Sequence, residues 1–194
     1  MYDKWFAKTE KSLPRHLTNE EYATILSKIE TMKVRDQAMI LIAFETGLRA
    51  SELLSLKRDD ISLEDNSIGI KSGISTKGNK KRTAYMSKKT SFIVEKLFEE
   101  LPKDSNDIFL NKYGNPISAR SVRRIFNNIG YDIELTRRFT PHVCRHTFAN
   151  RVLEKDGSLL ILQELLDHDD PNTTRIYGKS SSRKKREEYD KYMT

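Results

Sequence analysis

The longest apolar run in the chain, Ala38-Met39-Ile40-Leu41-Ile42-Ala43-Phe44, is also its strongest constraint. A membrane-spanning helix needs about 20 apolar residues, so this run cannot cross a bilayer. It reads instead as the middle of a helix over 34–46, stopped by Gly47 in the left-handed region. A short helix over 50–56 follows, which places Arg49 at a helix junction. With 194 residues the chain can hold one good core, and a single domain is expected.

Around that helix the pattern changes several times. Residues 1–16 are polar and mixed and read as a linker or N-terminal extension. Thr18-Asn19-Glu20-Glu21 is a capping box for a helix reaching about Met32. Two short strands, 67–70 and 82–86, flank the turn signals Gly73 and Gly78-Asn79 and predict a small antiparallel sheet. Helical periodicity returns over 88–101, 118–129, 141–154 and 158–166, with Thr140 as a cap and Pro141 suited to the first helical position. The expected fold class is mainly α with a small antiparallel β-sheet (α+β).

Composition narrows the partners. There are 35 Lys and Arg against 28 Asp and Glu, for a formal charge of +7, which favours a polyanionic partner or a soluble basic surface. Cys144 is the one cysteine, so no intramolecular disulfide is available. No charged segment followed by an apolar stretch opens the sequence, so no secretory signal is expected; a cytoplasmic protein with no membrane partner is.

Several residues fit chemistry at a phosphodiester. Displacing an oxygen there requires an in-line nucleophile, a proton donor for the leaving oxygen, and fixed positive charge for the non-bridging oxygens. The guanidinium forks of Arg49 and Arg145 suit the last role. His142 and Arg145 share one helix face, while Cys144, Phe148 and Val152 recur on the buried side. Glu52, three residues after Arg49, is placed to hold that guanidinium. Tyr177 is the candidate nucleophile; its phenol has a reference pKa of about 10, so it needs a nearby base, for which His142 is the candidate. Histidines 142 and 146 with Cys144 invite a zinc reading, but Cys144 belongs to the other face and no second ligand pair exists.

Four strings carry a family resemblance: Thr46-Gly47-Leu48-Arg49-Ala50-Ser51-Glu52-Leu53, Ser75-Thr76-Lys77-Gly78-Asn79-Lys80, His142-Val143-Cys144-Arg145, and Leu165 through Asp167-His168 to Tyr177. Together they make the chain from about Leu17 to Tyr177 resemble the catalytic domain of tyrosine recombinases, the integrase family that cuts and rejoins DNA, with the domain expected over 17–179. The resemblance implies an integrase-type DNA breaking-rejoining domain in which Tyr177 forms a covalent 3′-phosphotyrosyl intermediate. The departing 5′-hydroxyl takes its proton from a hairpin lysine, Lys77 with Lys80 next, and His168 hydrogen-bonds a non-bridging oxygen. No metal or nucleotide cofactor is required.

The partners so implied are double-stranded DNA and further copies of the chain, as dimer or tetramer on DNA. Lys80, Lys81, Arg82, Arg120, Arg123 and Arg124 are the expected DNA-binding cations. Residues 180–194 are expected as a tail whose Tyr189, Tyr192 and Met193 form a small apolar face that packs on a neighbouring protomer. Two departures stand out: Asp167 occupies a position where the family usually has Gly, and residues 1–16 are too short for the N-terminal DNA-binding domain that family members generally carry. Alternatives are a type IB topoisomerase, which religates the same ends, and a non-catalytic DNA-binding module with an idle tyrosine.

Overall fold

The computed structural model describes residues 16–71, 81–154, 159–166, 189, 190 and 193. Helix α1 covers Asn19–Ile29. Its capping box forms as predicted: the Thr18 hydroxyl accepts from the Glu21 N–H at 3.2 Å, and the Glu21 carboxylate accepts from the Thr18 N–H at 2.8 Å. The helix stops short of Met32 because Thr31 and Met32 donate to carbonyls three residues back, on Lys28 and Ile29, which tightens the last turn.

Helix α2, Val34–Thr46, has the predicted bounds and ends at Gly47 with φ 59° and ψ 26°. All seven residues of the apolar run are buried, so the helix has core on every side. Helices α4, Lys88–Glu100, and α6, Pro141–Glu154, pack against it. Each fully buried Ile, Leu or Phe there contributes about 1.5–3 kcal/mol, which makes α2 the post around which the domain is assembled.

Helix α3 spans Ala50–Ser55, α5 Ala119–Asp132 and α7 Leu159–Leu166. Ser87 and Ser118 cap α4 and α5, their hydroxyls accepting from the N–H groups of Thr90 and Ser121 at 3.1 Å each. Strands β1, Ile61–Ser62, β2, Ser67–Lys71, and β3, Lys81–Tyr85, form an antiparallel sheet in the order β1-β2-β3. The register sets Ile68 opposite Ala84 and Ile70 opposite Arg82. Strand β1 was not foreseen; its two residues carry no pattern and exist as strand only through pairing with Ser67 and Ile68.

A second apolar cluster lies beside the main core, made of Tyr85, Phe148, Val152, Leu162, Leu165, Leu166 and Tyr189, with Met193 packed against it. Tyr189 is 2 % exposed, its ring 5.9 Å from that of Tyr85. The apolar face expected of the tail therefore rests here on the chain's own core; Tyr192 lies outside the described residues. Among the described residues no helix is long and apolar enough to cross a membrane.

Candidate active site

The end of α2 is where the site begins. Gly47 is required twice over. Its φ is one that L side chains rarely adopt, and a Cβ there would stand 2.6 Å from Leu166 Cδ2 and 2.9 Å from Phe148 Cδ1. Helices α6 and α7 can approach the α2–α3 junction this closely only because position 47 has no side chain.

Arg145 exploits that approach. Its Nη1 donates to the Gly47 carbonyl at 2.6 Å and its Nη2 to the Leu166 carbonyl at 2.9 Å. The residue is 8 % exposed. The guanidinium thus sits two residues from Arg49 on one side and two from His168 on the other along the chain. On the same helix Cys144, Phe148 and Val152 are buried as predicted, and burial pushes the Cys144 thiol well above its ordinary value. Cys144 is therefore a core residue and cannot join the histidines around a metal.

Arg49 is the N-cap residue of α3. Its backbone N–H donates to Glu52 Oε2 at 2.7 Å and its Nη1 to Glu52 Oε1 at 3.1 Å, the contact expected from their spacing. The Arg49 side chain remains 41 % exposed while that of Glu52 is 6 % exposed, so the carboxylate anchors the arginine from below. A buried carboxylate is tolerable only when its charge is matched. Arg82 supplies a second match, donating from Nη2 to Glu52 Oε2 at 2.9 Å.

Arg82 was expected among the DNA-contacting cations, and the geometry turns it inward. Its side chain is 9 % exposed, and its Nη1 donates to the Leu165 carbonyl at 2.6 Å. Sequence alone shows a cation in a cationic run; nothing in it reveals a carboxylate thirty positions away waiting as a partner.

His142 lies exposed on the first turn of α6, where the Thr140 hydroxyl accepts from the Val143 N–H at 3.4 Å. The α6 start is set by close packing: a Cβ on Gly130 of α5 would stand 2.9 Å from the Cβ of Phe139. One turn on, the His146 ring meets His142 edge-on, with the two Nε2 atoms 2.9 Å apart. One of these nitrogens donates and the other accepts, so His146 bears on the tautomer of the candidate base. The sequence marks His146 only as a candidate metal ligand.

Arg120, Arg123 and Arg124 are exposed on α5, whose opposite face buries Val122, Phe126 and Ile129. With Ser121, Asn127 and Asn128 they line a shallow groove of about 420 Å³. Helix α5 also packs against α3. Lys77, Lys80, Asp167, His168 and Tyr177 lie outside the described residues, as does the side chain of Lys81.

A further carboxylate, half-buried, has no signature in the sequence. Glu45, the first residue after the apolar run, accepts from the Ser87 N–H at 2.7 Å and from the Ser87 hydroxyl at 2.8 Å. Burial raises its pKa, opposed by these bonds and by the hydroxyls of Thr90 and Tyr189.

Residues 15–184 match the model of the phage integrase family. The chain belongs to that family. Among curated relatives of this integrase domain, the tyrosine recombinase XerD of Listeria monocytogenes serotype 4b is 37 % identical over 180 residues, covering 88 % of this chain and 59 % of the relative. The tyrosine recombinase XerA of Pyrococcus horikoshii is 34 % identical over 187 residues, covering 95 % of this chain and 63 % of the relative. The chain thus spans about three fifths of the length of the relatives it matches.

Solved structures agree with the fold. The crystal structure of XerA recombinase superposes with a TM-score of 0.73 at 26 % identity, covering 92 % of this chain and 65 % of that one. The XerH site-specific recombinase bound to its difH substrate superposes at 0.71 with 29 % identity, covering 93 % of this chain and 55 % of that one. The mainly helical domain with a small antiparallel sheet is therefore the fold of tyrosine recombinase catalytic domains.

Proposed function

We propose that the chain is the catalytic part of a site-specific DNA recombinase that cuts and rejoins double-stranded DNA through Tyr177. Residues 17–179 form the catalytic domain, 1–16 a linker or extension, and 180–194 a tail. The observation that carries the reading is the double hydrogen bond from Arg145 to the Gly47 and Leu166 carbonyls. It draws together the chain segments that lead to Arg49 and to His168, residues far apart in sequence. The relatives' being tyrosine recombinases, and the difH substrate bound in the XerH complex, support the same reading.

In the proposed reaction the Tyr177 phenol oxygen attacks the scissile phosphorus while its proton passes to His142. The bond from phosphorus to the 5′-oxygen breaks, and Lys77 protonates the departing 5′-hydroxyl. Arg49, Arg145 and His168 hold the non-bridging oxygens, where preorganised donors act most strongly on developing charge. Strand rejoining reverses these steps with the 5′-hydroxyl of another strand, so the phosphodiester energy is conserved without a metal or nucleotide. The exposed arginines of α5 contact DNA phosphates, and exchange between strands takes place in a dimer or tetramer on the DNA.

Covalent capture tests this. A pool of nicked duplexes of randomised sequence is incubated with the chain, and protein-DNA adducts are isolated on a denaturing gel and sequenced. Wild type is expected to yield adducts that converge on a site, and Tyr177→Phe none, with DNA affinity nearly unchanged because the hydroxyl contributes little ground-state binding. Adduct formation by Tyr177→Phe at the wild-type level would assign the nucleophile elsewhere.

A further inference from the structure

We propose that Arg82 is a positioning residue for strand transfer, locking the carboxylate beneath Arg49 to the end of the helix that leads into His168. The proposal rests on the recombinase reading above and adds to it a residue that touches no DNA. The Arg82 side chain is 9 % exposed, both terminal nitrogens are engaged inward, and its charge is matched by the buried Glu52 carboxylate. Nη2 reaches Glu52 Oε2 at 2.9 Å and Nη1 reaches the Leu165 carbonyl at 2.6 Å. Glu52 in turn holds Arg49 through backbone and side chain.

The other end of this bridge is equally specific. The last carbonyls of a helix have no partner within it and carry the negative end of its dipole. In α7 the carbonyls of Leu165 and Leu166 are taken by Arg82 and Arg145 respectively. Two arginines from different elements, β3 and α6, therefore fix one helix end directly ahead of His168. Only the planar fork of arginine can serve carboxylate and carbonyl at once; a lysine ammonium, a single point of charge, cannot hold both in that geometry.

The duplex selected by covalent capture serves for single-turnover cleavage by the 194-residue chain carrying Arg82→Gln, Arg82→Lys, Glu52→Gln, or Arg82→Gln with Glu52→Gln. Arg82→Gln is expected to slow adduct formation about 10–100-fold, as loss of a supporting partner or a small misplacement does. The DNA concentration for half-maximal rate and the salt dependence of binding stay as in wild type. Arg82→Lys recovers part of the rate through Glu52, and the double variant is no slower than the worse single one.

If Arg82→Gln fails to fold, Arg82→Lys gives the rate and the double variant, which lacks the charge, gives the salt dependence: a slowed rate and an unchanged salt slope are expected. A salt slope reduced by about 1 in a variant lacking the Arg82 charge would make the residue a phosphate contact and overturn the proposal. Wild-type rates in both Arg82 variants overturn it as well, leaving the recombinase reading intact. A wild-type chain that forms no adduct at all overturns that reading and this one together.

Discussion

Arg145 and Gly47 are joined by a 2.6 Å hydrogen bond from guanidinium to carbonyl, so a residue expected to clamp phosphate also ties α6 to the end of α2. The proposed phosphate-clamping role and the architectural role of this arginine are not separable, and its substitution should register in two different measurements.

Arg145→Ala is expected to slow single-turnover cleavage on the order of 10²-fold or more, as loss of a preorganised oxyanion partner does. It also leaves the Gly47 and Leu166 carbonyls without this donor, which costs about 1–3 kcal/mol of stability. Denaturant unfolding and adduct kinetics on one preparation check both effects. Arg145→Lys should restore neither fully, and wild-type cleavage by the alanine variant would remove Arg145 from the clamp.

Gly47→Ala should destabilise the domain by about 1–3 kcal/mol, since a methyl group there is strained by the positive φ and meets Leu166 and Phe148. Urea unfolding gives the value. Because the displaced neighbours support Arg145 and the end of α7, cleavage should fall further than the loss of folded protein explains. An unchanged unfolding midpoint would show that α7 yields without cost.

Lys77→Ala is expected to lose cleavage of an ordinary duplex and regain most of it when the 5′-bridging oxygen is replaced by sulfur, because a thiolate leaves without a proton. Lys80→Ala should show no such selective rescue. The reverse pattern would move the general acid to Lys80.

Glu45 predicts a pH signature. Its folded pKa is raised from the ordinary 4.5, so the native state holds the proton more tightly than the unfolded chain. The associated stability is fully present below about 4.5 and is lost as pH rises through the raised value. The melting temperature of wild type minus that of Glu45→Gln should therefore become more negative as pH climbs above that point. A constant difference across the range would mean that hydrogen bonds from Ser87 offset the burial.

Features governed by local rules were the legible ones. The Thr18–Glu21 capping box, the Gly47 stop, the start of α6 at Pro141 and the buried spacing of Cys144, Phe148 and Val152 each depend on residues within a few positions of one another, and each was found where the sequence placed it. The spacing of Arg49 and Glu52 foretold their contact for the same reason. What stayed hidden needed the third dimension. Arg82 is surrounded in sequence by lysines, and only the fold sets Glu52 and Leu165 against it. Tyr189 announced an apolar face, while its resting place against Tyr85 depends on where β3 and α6 run.

The complete burial of the apolar run in α2 also bears on how the molecule opens. A helix with no solvent face cannot release its amides piecemeal, so the backbone protons of Met39 to Phe44 should exchange with deuterium only when the whole domain unfolds. Those amides then report global stability directly, and they lie a few residues before Arg49. The segment presenting that arginine is thus attached to the slowest-opening part of the chain, so the geometry beside Gly47 holds through local openings elsewhere.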